Sequence, residues 1–231
     1  WPDGDTNLYL GVNQSLQSNS WWRLIAPNGS VVTGPVQVNT TNNDLQRFPL
    51  SQAGRYLLLI EGRISATGLA PEHQITLRQP VISTVPIMPD TLVTGAVDGI
   101  GDRVAHSFTL TEATLLHFDS LTNASTLTWS LTGPSGTVLS TNLNNADGSN
   151  RNASTLMPLA AGDYVLTITG TARATGEFAF ILHDAAQAEV LPLGETLTRT
   201  YDPGNRSTIF QFTGNAGDQF YLDHLSGYST L

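Results

Sequence analysis

Residues 159–180 read "LAAGDYVLTITGTARATGEFAF", and residues 50–68 read "LSQAGRYLLLIEGRISATG". Tyr56 and Tyr164 lie 108 positions apart. The same spacing pairs Ile60 with Ile168, Gly62 with Gly170, Ala66 with Ala174, Thr67 with Thr175 and Gly68 with Gly176. Upstream, "WRLIAPNGSVV" (22–32) matches "WSLTGPSGTVL" (129–139) at a spacing of 107, pairing Trp22 with Trp129, Leu24 with Leu131, Pro27 with Pro134, Gly29 with Gly136 and Val31 with Val138. Two blocks in one order at nearly one spacing indicate a duplicated unit.

A third copy is expected towards the C-terminus. "FTLTEATLLHFDSLTNASTL" (108–127) aligns with "FTGNAGDQFYLDHLSGYSTL" (212–231) at a spacing of 104, where Phe108/Phe212, Asp119/Asp223, Leu121/Leu225 and Leu127/Leu231 coincide. Leu8 pairs with Leu116, which leaves the first copy without the opening strands and makes residues 190–219 the counterpart of that part. Proline-bearing connectors, "RQPVISTVPIMPDT" (78–91) and "HDAAQAEVLPLGET" (183–196), fall where copies should end and read as stiff, extended spacers.

Locally the chain reads as strands. "YLLLI" and "YVLTI" are short apolar runs bounded by turn residues. "TWSLTGPSGTVLS" is a hairpin around Gly-Pro-Ser-Gly, with Trp129, Leu131 and Val138 expected on one buried face. "EFAFIL" places Phe178, Phe180 and Leu182 on one face, and no segment sustains a helical period. The expected fold is all-β, as tandem antiparallel β-sandwich (jelly-roll-like) repeats of about eight strands each. Residues 1–84 would form a repeat lacking its first strands, 85–186 a complete repeat, and 187–231 the N-terminal part of a third.

Composition narrows the function. Of 231 residues, 40% are hydrophobic and only 13% charged, with 21 Gly and 12 Pro, which suits a turn-rich β protein. The net charge of -9 gives no basic surface for nucleic acid. With no cysteine and no lysine, disulfides, thiolate metal sites, lysine Schiff bases and Lys–Asn isopeptide crosslinks are all excluded. No apolar run approaches the ~20 residues that span a bilayer, so membrane insertion is not expected. The opening "WPDGDTNLYL" is acidic and polar, unlike a signal peptide, and reads as part of a mature fragment.

The middle copy resembles the bacterial pre-peptidase C-terminal domain, through "GAVDGIGDRVAHSFTL", "LTWSLTGPSGTVLS", "LAAGDYVLTITG" and "GEFAFIL" in that order. The resemblance spans 91–183, the later part of copy one and the opening of copy three. It implies a β-sandwich module of secreted peptidases or large surface proteins, and it carries no catalytic residue. That family often writes Gly-Asp-x-Asp-x-Phe; here Gly101 and Asp102 are followed by Val104 at the second Asp, and copy three has Asn205-Arg206. The resemblance therefore transfers no polar role to that pair.

No zinc-protease His-Glu-x-x-His, nucleophile elbow or phosphate loop is present. His73, His106, His117, His183 and His224 are scattered, and His106 and His117 align with Phe210 and Tyr221, which points to aromatic packing. Asp223-His224 has Asp119-Ser120 as its counterpart, so a catalytic pair is not expected there. "DGDTN" (3–7) opens like a calcium loop, but Leu8 stands at its glycine and Gln14 at its distal glutamate. "NADGSN" (145–150) and "DGIGD" (98–102) read as turns. No cofactor is expected, and Ca2+ is the one ion with any motif.

Trp21 and Trp22 are adjacent on a strand and must face opposite sides. Trp22 and Trp129, with Tyr56 and Tyr164, are expected core anchors. Trp21, aligned with Thr128, would point outward, to contact a sugar or an interface or to lie under a neighbouring segment. Six Asn-x-Ser/Thr sequons (Asn13, Asn28, Asn39, Asn123, Asn152, Asn205) follow from turn composition. The expected function is a non-catalytic structural or adhesive array of a secreted or cell-surface bacterial protein, self-associating or stacked on its own repeats, and assembling head to tail into a filament. The alternative is an accessory module on a secreted hydrolase, binding polysaccharide or collagen-like protein.

Overall fold

The structure is a computed structural model and describes residues 7–12, 20–37, 45–65, 75–146, 155–171, 173–223 and 225. The first part of the chain holds β1 (Asn7–Val12), β2 (Ser20–Ile25), β3 (Val31–Gln37), β4 (Leu45–Pro49), β5 (Leu57–Gly62) and β6 (Ile75–Arg78). These make two antiparallel three-stranded sheets, ordered β4-β1-β6 and β3-β2-β5.

The middle holds β7 (Ile82–Pro86), β8 (Leu92–Val97), β9 (Arg103–Leu110), β10 (Thr114–Ser120), β11 (Leu127–Gly133), β12 (Gly136–Asn142), β13 (Leu156–Leu159), β14 (Gly162–Gly170) and β15 (Gly176–Asp184). They form one sheet ordered β13-β10-β15-β8 and another ordered β12-β11-β14-β9-β7. The described helices are two three-residue 3-10 turns, Leu143–Asn145 and Ala185–Gln187. The fold is all-β.

Alternation drives the packing. Along β15, Phe178, Phe180 and Leu182 are buried, as the period of two requires. They meet Trp129 and Leu131 from β11, and Tyr164, Leu166 and Ile168 from β14, in one continuous core. Phe118 lies between sheets, stacked 3.9 Å from Trp129 and 5.0 Å from Phe180 between ring centroids. Deleting a ring buried this way costs about 3–5 kcal/mol. Val138 departs from expectation: it is 43% exposed. The β11–β12 register shifts after Leu131, which turns Leu139 towards the core in its place.

The two quoted phrases occupy matching geometry. Trp22 on β2 lies opposite Ile60 on β5, and Trp129 on β11 opposite Ile168 on β14. Tyr56 donates its hydroxyl to the Gln52 carbonyl at 2.8 Å, and Tyr164 to the Ala160 carbonyl at 2.9 Å. Gly54 (φ +140°) abuts Pro27, and Gly162 (φ +148°) abuts Pro134; a Cβ would come within 2.8 Å and 2.4 Å of the two proline Cγ atoms. Both glycines thus combine a positive φ with a close approach that excludes any side chain.

The first connector is not only a spacer. Its residues 82–86 are β7, which pairs in parallel with β9 as an edge strand, where a terminal proline is tolerated. Asp102 ties this strand down: it is buried and accepts from Arg78 Nη2 and from the Val81 backbone N–H, each at 2.7 Å. The polar role that the sequence left open at Asp102 is therefore filled within the chain.

After β15 come β16 (Glu189–Val190) and β17 (Phe210–Gln211), which pair in parallel. Their register, Glu189 opposite Phe210, reproduces Val85 opposite His106 at the spacing of 104. Bonds from Leu191 N to Gln211 O and from Arg206 N to Pro203 O likewise repeat those from Ile87 N to Ser107 O and from Asp102 N to Gly99 O. Beyond β17 the likeness ends. Phe212 and Phe220 are about half exposed and Leu222 almost wholly so, while the aligned Phe108, Leu116 and Phe118 are buried.

Candidate functional site

Two surfaces gather polar groups. On the outer face of β2 and β5, Trp21 is half-buried, and the Arg63 guanidinium carbon lies 5.2 Å from its ring centroid. Arg23 and Glu61 form an ion pair at 2.6 Å on the same face, where Trp21 lies opposite Glu61. Trp21 therefore points away from Trp22, as strand alternation requires, but a cation already holds one face of its ring. Trp22 and Trp129 are both buried, Tyr164 is buried, and Tyr56 is half-buried.

The second surface lies where residues 202–208 meet the middle sandwich. Antiparallel pairing of β10 with β15 sets His117 opposite His183, and their rings stack with centroids 6.2 Å apart. His183 lies between two carboxylates: Nδ1 is 3.3 Å from Asp90 Oδ1, and Nε2 is 3.5 Å from Asp119 Oδ2. Asp119 also accepts from the Ser207 backbone N–H and hydroxyl, each at 2.8 Å. Asn205 donates to the Leu121 carbonyl alongside. A cavity of about 310 Å³ opens beside this clasp, lined among others by Asp90, His183, Tyr201 and Arg206.

The electrostatics follow from these contacts. Burial alone would raise the Asp119 pKa, but the adjacent His183 ring and the two hydrogen bonds from Ser207 outweigh it and hold the carboxyl below its ordinary value. His117 is held below the usual imidazole range, chiefly by burial and also by His183, against the opposing pull of Asp119. Its Nδ1 is 3.0 Å from Thr155 Oγ1. The Ser207 hydroxyl donates to a carboxylate and has no imidazole to take its proton, so this group of residues lacks the nucleophile–base contact of a hydrolytic triad. Its geometry is that of a fastening.

His106 is the other unusual titratable group. It is 3% exposed and set edge-on to Phe178 and Phe180, at 5.8 and 5.4 Å, as aromatic packing led one to expect. Neither ring nitrogen has a hydrogen-bond partner, and burial depresses its pKa.

Among the described residues, no three His, Cys, Asp or Glu side chains come close enough to share a metal ion. Residues 3–6 of the "DGDTN" stretch and 147–150 of "NADGSN" lie outside the described residues, as does His224. Asp98 and Asp102 of "DGIGD" flank a turn closed by the Asp102 N to Gly99 O bond. Sequence reasoning noted His117, His183 and Asp119 but did not unite them. The β10–β15 register that would have done so is set by strand order, which no local pattern records. No described helix is long and apolar enough to cross a membrane.

No family model and no curated protein matches the chain. Among solved structures it is similar to Aeromonas hydrophila PliG, a periplasmic lysozyme inhibitor of g-type lysozyme, with 11% identity and a TM-score of 0.35 over 46% of this chain and 98% of that one. It is also similar to A223, a turret protein of Sulfolobus turreted icosahedral virus, with 13% identity and a TM-score of 0.21 over 78% of this chain and 88% of that one. Likenesses at this level carry no argument about function.

Proposed function

We propose that this chain is part of a non-catalytic, extracellular array of β-sandwich repeats of the pre-peptidase C-terminal type. Its work is mechanical: spacing, adhesion and head-to-tail assembly with further copies. The observation that carries this reading is the recurrence of one packing unit, Trp opposite Ile, Tyr hydroxyl to the carbonyl four residues back, and glycine against proline. What recurs is framework, and the polar clasp at Asp119 fastens one segment to another. Repetition of framework without a repeated site supplies length and many equivalent surfaces.

Stretching the whole chain between its ends in a single-molecule experiment tests the repeat reading. The middle unit should open as a discrete event releasing about 100 residues, roughly 330–360 Å of extended chain. Smooth extension, or one event releasing the whole chain together, would count against a modular array.

A further inference from the structure

The clasp between residues 202–208 and the middle sandwich asks more of one ring than a neutral imidazole can give. His183 presents Nδ1 to Asp90 Oδ1 at 3.3 Å and Nε2 to Asp119 Oδ2 at 3.5 Å. Both carboxylates act as acceptors elsewhere too: Asp90 Oδ1 takes the Asp184 backbone N–H, and Asp119 takes the Ser207 N–H and hydroxyl. A neutral imidazole carries one N–H and one lone pair, whereas the imidazolium carries two N–H groups. With a neutral ring, one lone pair would face a carboxylate oxygen. With a charged ring, both nitrogens face opposite charge.

The other groups around the ring come from each element packed against it. From β10, His117 stacks on His183, and burial holds His117 below the usual imidazole range, so it adds no charge of its own near neutrality. β8 and β13 contribute no titratable residue. On β15 itself Asp184 follows, its carboxylate accepting from the Thr114 hydroxyl and the Ala186 N–H. Across the cavity lie Glu189, Tyr201, Asp202 and Arg206, with Glu189 paired to Arg199. Carboxylates therefore outnumber guanidinium groups around the cavity. Docking matters because Asp119 is buried in the docked state. A buried carboxylate without a counter-charge costs far more than one open to water. Lifting residues 202–208 removes both Ser207 bonds and lets water take their place, and the carboxylate then no longer needs the charge of the ring.

We propose that residues 202–208 form a proton-dependent joint with the middle sandwich, docked while the His183 ring is charged and released when that ring loses its second proton. Docking is then present on the acid side of the ordinary imidazole range and weakens as pH rises through it. At much lower pH, protonation of Asp119 removes the charged acceptor for Ser207, so docking is confined to the window between the two titrations. The inference needs only the clasp. Within the array reading, it makes the joint after the middle unit firmer in mildly acid than in mildly alkaline surroundings.

Amide exchange of the whole chain, corrected for the intrinsic effect of pH on exchange, tests the joint. Protection of residues 202–208 should fall about tenfold between about pH 6 and about pH 8, the order expected for losing one contact to a charged group. The buried His106 drives the sandwich itself the other way, towards greater stability at higher pH, so a global change cannot imitate the effect. His183→Gln cannot take up a proton and should show low protection at both pH values, with no step between them. Asp90→Asn keeps an acceptor for the Asp184 N–H but loses the charge, and should shrink the step. His117→Gln should leave the step in place. Equal protection at the two pH values, protection that rises with pH, a step that survives His183→Gln, or one that vanishes with His117→Gln would each overturn the proposal. The force-extension step of the middle unit is indifferent to these outcomes, so failure of the joint is separable from failure of the array reading.

Discussion

His106 is buried against Phe178 and Phe180 with neither nitrogen hydrogen-bonded, and the residue aligned with it in the third copy is Phe210. His106→Phe should therefore stabilise the protein. A buried polar atom left without a partner costs about 1–3 kcal/mol. The imidazole has two such nitrogens, one of them carrying its proton, and Phe removes both. The larger ring needs room, which the adjoining groove lined by Val85, Met88, Leu92 and Val104 supplies. Allowing about 1 kcal/mol for repacking, the net gain should be about 1–5 kcal/mol at pH 8. The gain should grow on acidification. The His106 pKa is lower folded than unfolded, so its neutral form is favoured by folding. That preference is fully expressed above the unfolded value near 6.5 and is lost as pH falls through the window below it. Wild type should lose stability between about pH 7 and 5, and His106→Phe should flatten part of that slope; His117, also depressed, keeps the remainder. Urea unfolding of the middle sandwich, followed by tryptophan fluorescence at pH 8, 6.5 and 5, measures both effects. A variant less stable than wild type at every pH, with the slope unaltered, would refute the reasoning.

Asp119 has a depressed pKa, so the stability it contributes is present above the unfolded carboxylate value near 3.9 and disappears as pH falls through the folded one. Asp119→Asn and Ser207→Ala should each raise amide exchange in residues 202–208 at neutral pH by roughly 10- to 150-fold, given ~1.5–3 kcal/mol for a hydrogen bond to a charged group; unaltered exchange would show that the clasp does not hold the segment. Gly162→Ala should cost at least ~1–3 kcal/mol in chemical denaturation, because it meets a positive φ and the Pro134 ring together, and Gly54→Ala should act similarly through Pro27. A neutral result at Gly162 would mean that the glycine–proline contact is not a structural requirement. If Trp21 binds sugar, Trp21→Ala should abolish glycan-array signal, whereas Arg63→Ala, which frees the ring face, should strengthen it; signal unaffected by Trp21→Ala would end that reading.

Local pattern and self-comparison made much of the fold legible. Trp22 and Trp129 were placed in cores by strand alternation, and Phe178, Phe180 and Leu182 by their period of two. Val138 was misplaced because a bulge changes face without changing composition. β7 was read as connector because its exposed Ile82 and Val85 look like any extended linker. Only its partner β9, about twenty residues later, reveals a strand. Strand alternation turns Trp21 away from Trp22, yet its Arg63 partner follows the end of β5 and has no local signature. The clasp was the least legible feature, since Ser207 reaches back 88 residues to Asp119. Contacts of that range depend on where a chain crosses itself, and strand patterns carry no such information.

The Asp102 anchorage bears on how stiff a chain built from these units would be. Between Arg78, the last residue of β6, and Ile82, the first of β7, only residues 79–81 remain outside a strand. One carboxylate fastens both Arg78 and Val81, at the two sides of that gap. A tether with so few free torsions stores little slack, so bending at the junction must strain hydrogen bonds instead of rotating freely about single bonds. Thermal bending would then be set by Asp102 more than by connector length. Neutralising it should shorten the persistence length of a multi-unit strand, leaving each sandwich intact while the string between them turns limp.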